Sequence, residues 1–285
     1  MAERTGLREG GIAVLKNVTM GQYYPVDSLV HRLDPRMKLI LTILFIVAVF
    51  MSHSFVGYIL LLGFLVFACR VSNVPFRFLL KGLRPLRMII ILTFLLNLFF
   101  TPGEDLWVSV WIIRIYREGF LQALFYSLRL AFLVAGTSLL TLTTSPIALS
   151  DGIEKLLSPL RKIHFPAHEL AMMMTIALRF IPTLLEETDK IMKAQMARGA
   201  DFESGNLLVR AKAMVPLLVP LFVSAFRRAG DLAMAMESRC YHGGEGRTRL
   251  RVLKTTRNDW IALAVVSLLV VLIVLEGIFL KGVLF

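Results

Sequence analysis

Cysteine is almost missing: Cys69 ends an apolar run, Cys240 lies in a basic segment, and there is no third among 285 residues. Two isolated thiols give no disulfide framework. No GxxxxGK(S/T) loop occurs either. Gly243-Gly244-Glu245-Gly246-Arg247-Thr248 has glycines but neither the spacing nor the lysine, which excludes ATP binding through a P-loop. GxSxG is absent, and the carboxylates form no membrane-facing catalytic cluster. His164 and His168 are four apart, but Pro166 between them spoils a shared helical face and no carboxylate beside them completes a metal site. Met1 to Gly21 is mixed and charged, without the apolar core of a signal peptide. Acidic charge is scarce, 20 Asp and Glu against 32 Lys and Arg. Enzymatic chemistry, a cofactor and a metal centre are therefore not expected.

What is abundant is apolar. The chain is 56% hydrophobic with a mean hydropathy of +0.70, well above an ordinary soluble domain. Long, nearly uncharged runs account for this and read as membrane spans. The net charge of +12 does not point to nucleic acid, because it lies between those runs. Of the 32 basic residues, 28 fall in the first 38 residues, in the loop after the second run, or between Thr144 and Asp259. Cytoplasmic segments beside anionic lipid have this distribution.

The spans follow from punctuation and charge. Asp34 caps free amides and Pro35 suits the first helical position, so the first span begins after them. Leu39 to Met51 and Phe55 to Ala68 are apolar, interrupted by Ser52-His53-Ser54. One tilted helix and a hairpin are both conceivable on length. Basic residues precede the first run (Arg32, Arg36, Lys38) and follow the second (Arg70, Arg77, Lys81, Arg84, Arg87), and only a hairpin keeps both groups inside. A third span covers Met88 to Phe100, followed by a nearly neutral outer loop. A fourth covers Gly119 to Thr143, with Ala123, Ser127, Ala131 and Ala135 forming a small-residue stripe suited to close helix packing. Arg129 lies within it and should face the bundle, with Asn97 as candidate partner; a proton or ion path is the alternative, lacking a nearby intramembrane carboxylate. The last span, Trp260 to Leu280, is long and apolar. The expected organisation is a cytoplasmic lead (1–38), a four-span bundle (39–145), a basic cytoplasmic helical region (146–258), and a final span with the C-terminus outside (259–285).

The basic region contains three helix candidates. Ser150 to Leu160 is short and amphipathic and would lie along the interface. His168 to Arg198 and Leu207 to Arg239 are long, with Pro182 expected to kink the first and Pro216 and Pro220 in the second. Their apolar parts, Leu170 to Leu185 and Val215 to Phe226, are alternatively true spans. Eight of the 13 methionines fall between Met172 and Met236, and methionine suits adaptable contact surfaces as well as gap filling. Each long helix closes on an arginine between small residues: Ala197-Arg198-Gly199, and Ser238-Arg239-Cys240 forty-one positions later. Arginine presents a planar fork of donors that lysine cannot copy. Two such ends on one chain indicate two docking points.

These residues resemble the transmembrane T component of energy-coupling factor (ECF) transporters, the group that includes the cobalt-transport transmembrane subunit. The likeness runs from about Tyr23 to Thr248. It is carried by Asp27-Ser28-Leu29-Val30-His31-Arg32-Leu33-Asp34-Pro35-Arg36-Met37-Lys38, Leu178-Arg179-Phe180-Ile181-Pro182 with Glu186-Glu187, Ala194-Gln195-Met196-Ala197-Arg198-Gly199-Ala200, Ala235-Met236-Glu237-Ser238-Arg239-Cys240-Tyr241 and Gly246-Arg247-Thr248. The resemblance implies an all-α polytopic membrane protein of about five transmembrane helices plus three cytoplasmic coupling helices, the two long ones crossing. It implies a non-catalytic subunit of an ATP-driven importer of vitamins or metal ions in a prokaryotic cell membrane, with its N-terminus cytoplasmic. The implied partners are two ATP-binding cassette ATPases, a small membrane substrate-binding S component and the lipid bilayer, with no nucleic acid. Arg198 and Arg239 would meet the ATPases, with Ala197, Gly199, Ser238 and Cys240 giving clearance. Ser-Arg-Cys departs from the more usual Ala-Arg-Gly, and a Cβ at Cys240 restricts the backbone there. Met172, Met173, Met174, Met214, Phe222 and Phe226 would face the S component. The competing classes are a membrane enzyme acting on a lipid or phosphorylated substrate, and a self-sufficient substrate-binding permease.

Overall fold

The computed structural model describes residues 23–102, 106–110, 113–163, 166–202, 206–243 and 253–280. The expectations concerning the N-terminal lead before residue 23, the part of the nearly neutral outer loop at 103–105, His164, Gly246-Arg247-Thr248 and the C-terminal end beyond Leu280 lie outside the described residues. The chain divides into two compact units, one formed mainly by 21–152 with 252–285 and the other by 153–251.

In the first unit α1 is Pro35–Met51 and α2 is Phe55–Val71. Asp34 starts α1 as expected: its carboxylate accepts from Arg36 N at 3.0 Å and Pro35 occupies the first turn. Burial alone would raise the Asp34 carboxyl, but the Arg36 guanidinium, 2.7 Å away, holds it below the usual carboxylate range. The chain breaks at Ser52–Ser54 and folds back, since the Phe45 and Phe64 rings stack 5.7 Å apart across the break. Residues 39–69 are thus two helices. Next come α3 (Phe76–Leu83) and α4 (Arg87–Phe100), bent by 64° at their junction. The outer loop is not a plain loop. Leu106–Val110 (β1) and Ile113–Tyr116 (β2) pair antiparallel, Val110 opposite Ile113. Alternating β-branched and aromatic residues favour that pairing. The long helix α5, Arg117–Thr143, packs on α1, α2, α3 and α4. The last helix of this unit, Arg257–Leu280, packs on α1 and α2.

Its core is built from Phe45, Val49, Tyr58, Leu61, Phe132, Leu142, Leu269 and Ile273. Tyr58 stacks on Phe132 at 5.6 Å. The small-residue stripe is spent inside this unit: Ala123, Ser127 and Ala135 are buried, and a Cβ on Gly136 would strike the Phe45 ring. Buried Asp259 ties two helix starts together, accepting from Asp34 N at 2.8 Å and from Thr256 N and Oγ1 at 2.6 and 2.8 Å. Arg129 does not pair with Asn97. The Asn97 amide donates to Thr93 O at 2.8 Å, one turn back on its own helix, while Arg129 donates to Ser52 O at 3.2 Å.

The second unit contains two helices of 31 residues, α7 (Ala167–Ala197) and α8 (Leu207–Glu237); α6 is Pro146–Leu157, followed by a 3-10 turn over Ser158–Ile163. At ~1.5 Å per residue each long helix extends about 46 Å. Both are continuous through their prolines, Pro182 in α7 and Pro216 and Pro220 in α8. His168 places its Nδ1 3.1 Å from Glu154 Oε1, while its buried Nε2 has no hydrogen-bond partner among the described residues. The helix Arg257–Leu280 is α9.

Among the described residues three helices are long and apolar enough to cross a membrane, α5, α7 and α9, or four if bent α3–α4 is one span. The apolar runs of the sequence number about five. The difference lies in α1 and α2, whose 17 residues each reach about 25 Å against a ~30 Å hydrocarbon core. It also lies in α7, whose apolar part was left open as a span. The all-α, polytopic architecture stands, with the β1–β2 hairpin as its exception.

Candidate docking motifs

Both arginine motifs close their helices in the same way. At the end of α7, Ala200 N donates to Gln195 O and Gly199 N to Met196 O, both at 3.0 Å. At the end of α8, Tyr241 N donates to Met236 O at 3.1 Å and Cys240 N to Glu237 O at 2.8 Å. These are the two bonds of a Schellman cap, repeated forty-one positions later in register. Such a cap needs a left-handed residue after the arginine. Gly199 supplies it with φ +90°, and Cys240 adopts φ +53° despite its side chain. The expected restriction at Cys240 is therefore real: outside glycine, this conformation costs about 1–2 kcal/mol.

The caps leave the arginines open. Ala197, Arg198, Gly199, Ser238, Arg239 and Cys240 are all exposed. Ser238 is the most engaged of them, its hydroxyl donating to Ala235 O at 3.0 Å. A Cβ on Gly199 would meet nothing within 4 Å, so the chain's own packing does not demand a small residue there. Left-handed backbone does, and so would a surface closing around the arginine.

A polar contact absent from the sequence expectations joins the two helices. Glu187 of α7 accepts from Ser224 Oγ at 2.6 Å and from Arg228 Nη2 at 2.7 Å, both on α8. Glu187 and Arg228 are forty-one residues apart, the same offset as Arg198 and Arg239. Each helix-ending arginine thus lies eleven residues past the link, about 16 Å along its helix. That shared offset was the available signal.

The residues expected to meet a membrane partner are open as well. Met173, Met174, Met214, Phe222 and Phe226 are exposed; Met172 is half-buried. Phe222 and Phe226 are four apart and continue a stripe with Val215 and Val219, all exposed on α8. Helical spacing puts them on one face. Among the described residues no group of three or more His, Cys, Asp or Glu could hold a metal ion.

Residues 27–250 match the family model described as Cobalt transport protein, CbiQ. Relatives each called "Energy-coupling factor transporter transmembrane protein EcfT" match nearly end to end. The one from Clostridium kluyveri is 55% identical over 266 residues, covering 93% of this chain and 98% of the relative. The one from Thermosediminibacter oceani is 57% identical over 257 residues, covering 90% and 97%. The Bacillus subtilis protein is 52% identical over 265 residues, covering 93% and 98%.

Proposed function

The chain belongs to the CbiQ family as an energy-coupling transmembrane component of an ECF transporter, and from that membership we propose that its twin arginine caps grip two ATPase subunits. The observation that carries the reading is the duplication. One backbone cap, with one exposed arginine, is presented at the ends of two long helices. A guanidinium on a capped helix end offers a fixed fork of donors to a carboxylate or to backbone carbonyls in a groove. The chain has no P-loop, so ATP must be hydrolysed by another subunit.

ATP-driven approach of the ATPases would move the anchored ends of α7 and α8. The Glu187–Arg228 link fixes where one helix bears on the other, and the exposed apolar face of α8 is suited to a small membrane S component that binds a vitamin or a metal ion. Tipping that subunit would release its substrate inside. In this reading the basic segments, the caps and the N-terminus are cytoplasmic and the C-terminus is outside, in a prokaryotic cell membrane.

Arg198→Ala with Arg239→Ala removes both forks and leaves the helices intact. Truncating a buried arginine–carboxylate contact typically costs ~2–5 kcal/mol. Copurification of the ATPases should therefore fall at least about tenfold with either single change and disappear with both. Uptake should be abolished in the double variant, with membrane insertion unchanged. Undiminished copurification with the double variant defeats the proposal.

A further inference from the structure

The elbow between α2 and α3 carries cations that its surroundings do not balance. No Asp or Glu occurs between Asp34 and Glu104, while Arg70, Arg77, Lys81, Arg84 and Arg87 follow one another across the elbow. All five are exposed. Lys81 lies 5.0 Å over the Phe78 ring, a contact that leaves its charge in place. The elements packed against α3 bring no counter-charge. Its main neighbour is α5, met so closely that a Cβ on Gly82 would sit 2.6 Å from Ser138 Oγ. The one acid of α5, Glu118, lies twenty residues earlier, about 30 Å along that helix. The segment before α1 touches α3 through the Tyr24 and Phe78 rings, 4.9 Å apart. Its acids are engaged, Asp27 with Arg32 at 3.8 Å and Asp34 with Arg36 at 2.7 Å.

The same elbow has a receptacle. A Schellman cap ends α2: Val74 N donates to Cys69 O and Asn73 N to Arg70 O, both at 3.2 Å, with Asn73 left-handed at φ +53°. Beside this turn opens a crevice of about 680 Å³. Buried Cys69 and Val74 form its floor, Arg70 and Asn73 its polar wall, and exposed Val66 and Phe76 its rim. Along α3, Arg77, Lys81 and Arg84 recur at i, i+4 and i+7 and share one face. Leu79 is buried on the opposite face, and Phe76 and Leu80 stay exposed between the two. After a 64° bend comes α4, uncharged from Met88 to Phe100. A helix with one cationic face and one apolar face, turned away from an apolar span, is built to lie at headgroup level.

An acidic protein surface or an anionic membrane would neutralise such a strip. The exposed Val66, Phe76 and Leu80 decide between them. An acidic groove offers these side chains nothing, whereas a bilayer has acyl chains immediately beneath its phosphates. We propose that the α2–α3 elbow binds an anionic phospholipid, its phosphate on Arg70 and Asn73 and an acyl chain along Val66 and Phe76. Arg77, Lys81 and Arg84 take the headgroups of neighbouring lipids. The site depends neither on ATPase docking nor on which end of the bundle is cytoplasmic.

Native mass spectrometry of the full chain in detergent, titrated with phosphatidylglycerol or phosphatidylcholine, reads the lipid bound. Phosphatidylglycerol should bind at least about tenfold more tightly, since each basic residue beside anionic lipid contributes roughly a factor of five. Arg70→Gln with Arg77→Gln should bring it to the level of phosphatidylcholine. Lys254→Gln with Arg257→Gln removes as much charge from exposed positions elsewhere and should leave the preference within about twofold. Both variants should melt within roughly 2 °C of wild type, because the substituted side chains are exposed. Equal binding of the two lipids by wild type, or equal losses in the two variants, overturns the site. Excess inorganic phosphate should not release phosphatidylglycerol; release would make this a free-anion site and overturn the lipid assignment. If the elbow variant keeps its lipid preference and instead loses the ATPases from the assembled transporter, the strip is a protein interface and the proposal fails.

Discussion

The bundle of α1 to α5 with α9 and the pair α7–α8 both expose large apolar side chains, yet they are held together differently. In the bundle, exposed residues such as Ile43, Ile59 and Leu268 surround a core in which Leu61 and Ile273 are fully buried. In the pair there is little beneath the surface. Among the described side chains α8 has no buried residue and α7 only Ala167 and Ala171. The link between the two helices is polar, Glu187 with Ser224 and Arg228. A bundle with a packed core carries its own stability. Helices without one leave their apolar faces open, and the proposed function takes exposed Phe222 and Phe226 as contact surface.

The largest expected effect tests that contrast directly. Ile273→Ala leaves a cavity in the bundle and should destabilise the isolated chain by about 2–4 kcal/mol, read as a lower melting temperature in detergent. Phe226→Ala removes a larger side chain, but one that is 75% exposed. It should leave melting within about 0.5 kcal/mol of wild type and weaken retention of the membrane partner instead. Equal destabilisation by the two changes would break the comparison, because α8 would then rest on a core of its own.

Next in size is the link within the pair. Reversing one charge, Glu187→Arg or Arg228→Glu, puts like charges where α7 and α8 meet. Uptake should fall several-fold while ATP hydrolysis by the assembled transporter continues. Exchanging both charges restores an attractive pair and should recover most of the uptake. If the exchange behaves no better than the singles, the link does not transmit load, and the pair is joined by its partners alone.

The long helices were legible in the sequence because their ends are punctuated. The expected ends of α7 and α8 agree with the observed ones to within two residues, where Arg-Gly and Arg-Cys stop them. The α1 start was legible through Asp34-Pro35, whose chemistry is local. What escaped depended on rotation or on distance along the chain. Asn97 seemed a partner for Arg129, but hydropathy does not say which way a side chain faces, and the amide is satisfied by Thr93 O one turn back. Glu276 vanished into the last span, where one carboxylate barely alters an 18-residue window of mean hydropathy 2.9. The Asp259 bond to Asp34 spans 225 residues, and no local pattern announces it. The β1–β2 hairpin has a signal in its alternating Val, Ile and Trp residues, but the near-neutral charge of that loop says nothing of strand pairing.

The smallest expected effect separates the two caps. Gly199 and Cys240 occupy equivalent left-handed positions, at φ +90° and +53°, and donate equivalent hydrogen bonds. Only cysteine has a Cβ to strain that conformation. Cys240→Gly removes the strain but also loosens the unfolded chain, two terms of about 1–2 kcal/mol and ~0.4–1 kcal/mol with opposite signs. Its net gain should lie between about zero and about 1.6 kcal/mol, which a local probe of the cap reads more directly than global melting. Gly199→Ala imposes the strain on the other cap and should fray it. Amide hydrogen exchange reads such local opening. The Cys240 and Tyr241 amides should exchange slightly more slowly in Cys240→Gly, and the Gly199-position and Ala200 amides faster in Gly199→Ala. Should Cys240→Gly instead speed exchange at Tyr241, the thiol side chain would be contributing to the cap, and the two ends would be alike in backbone but not in what stabilises them.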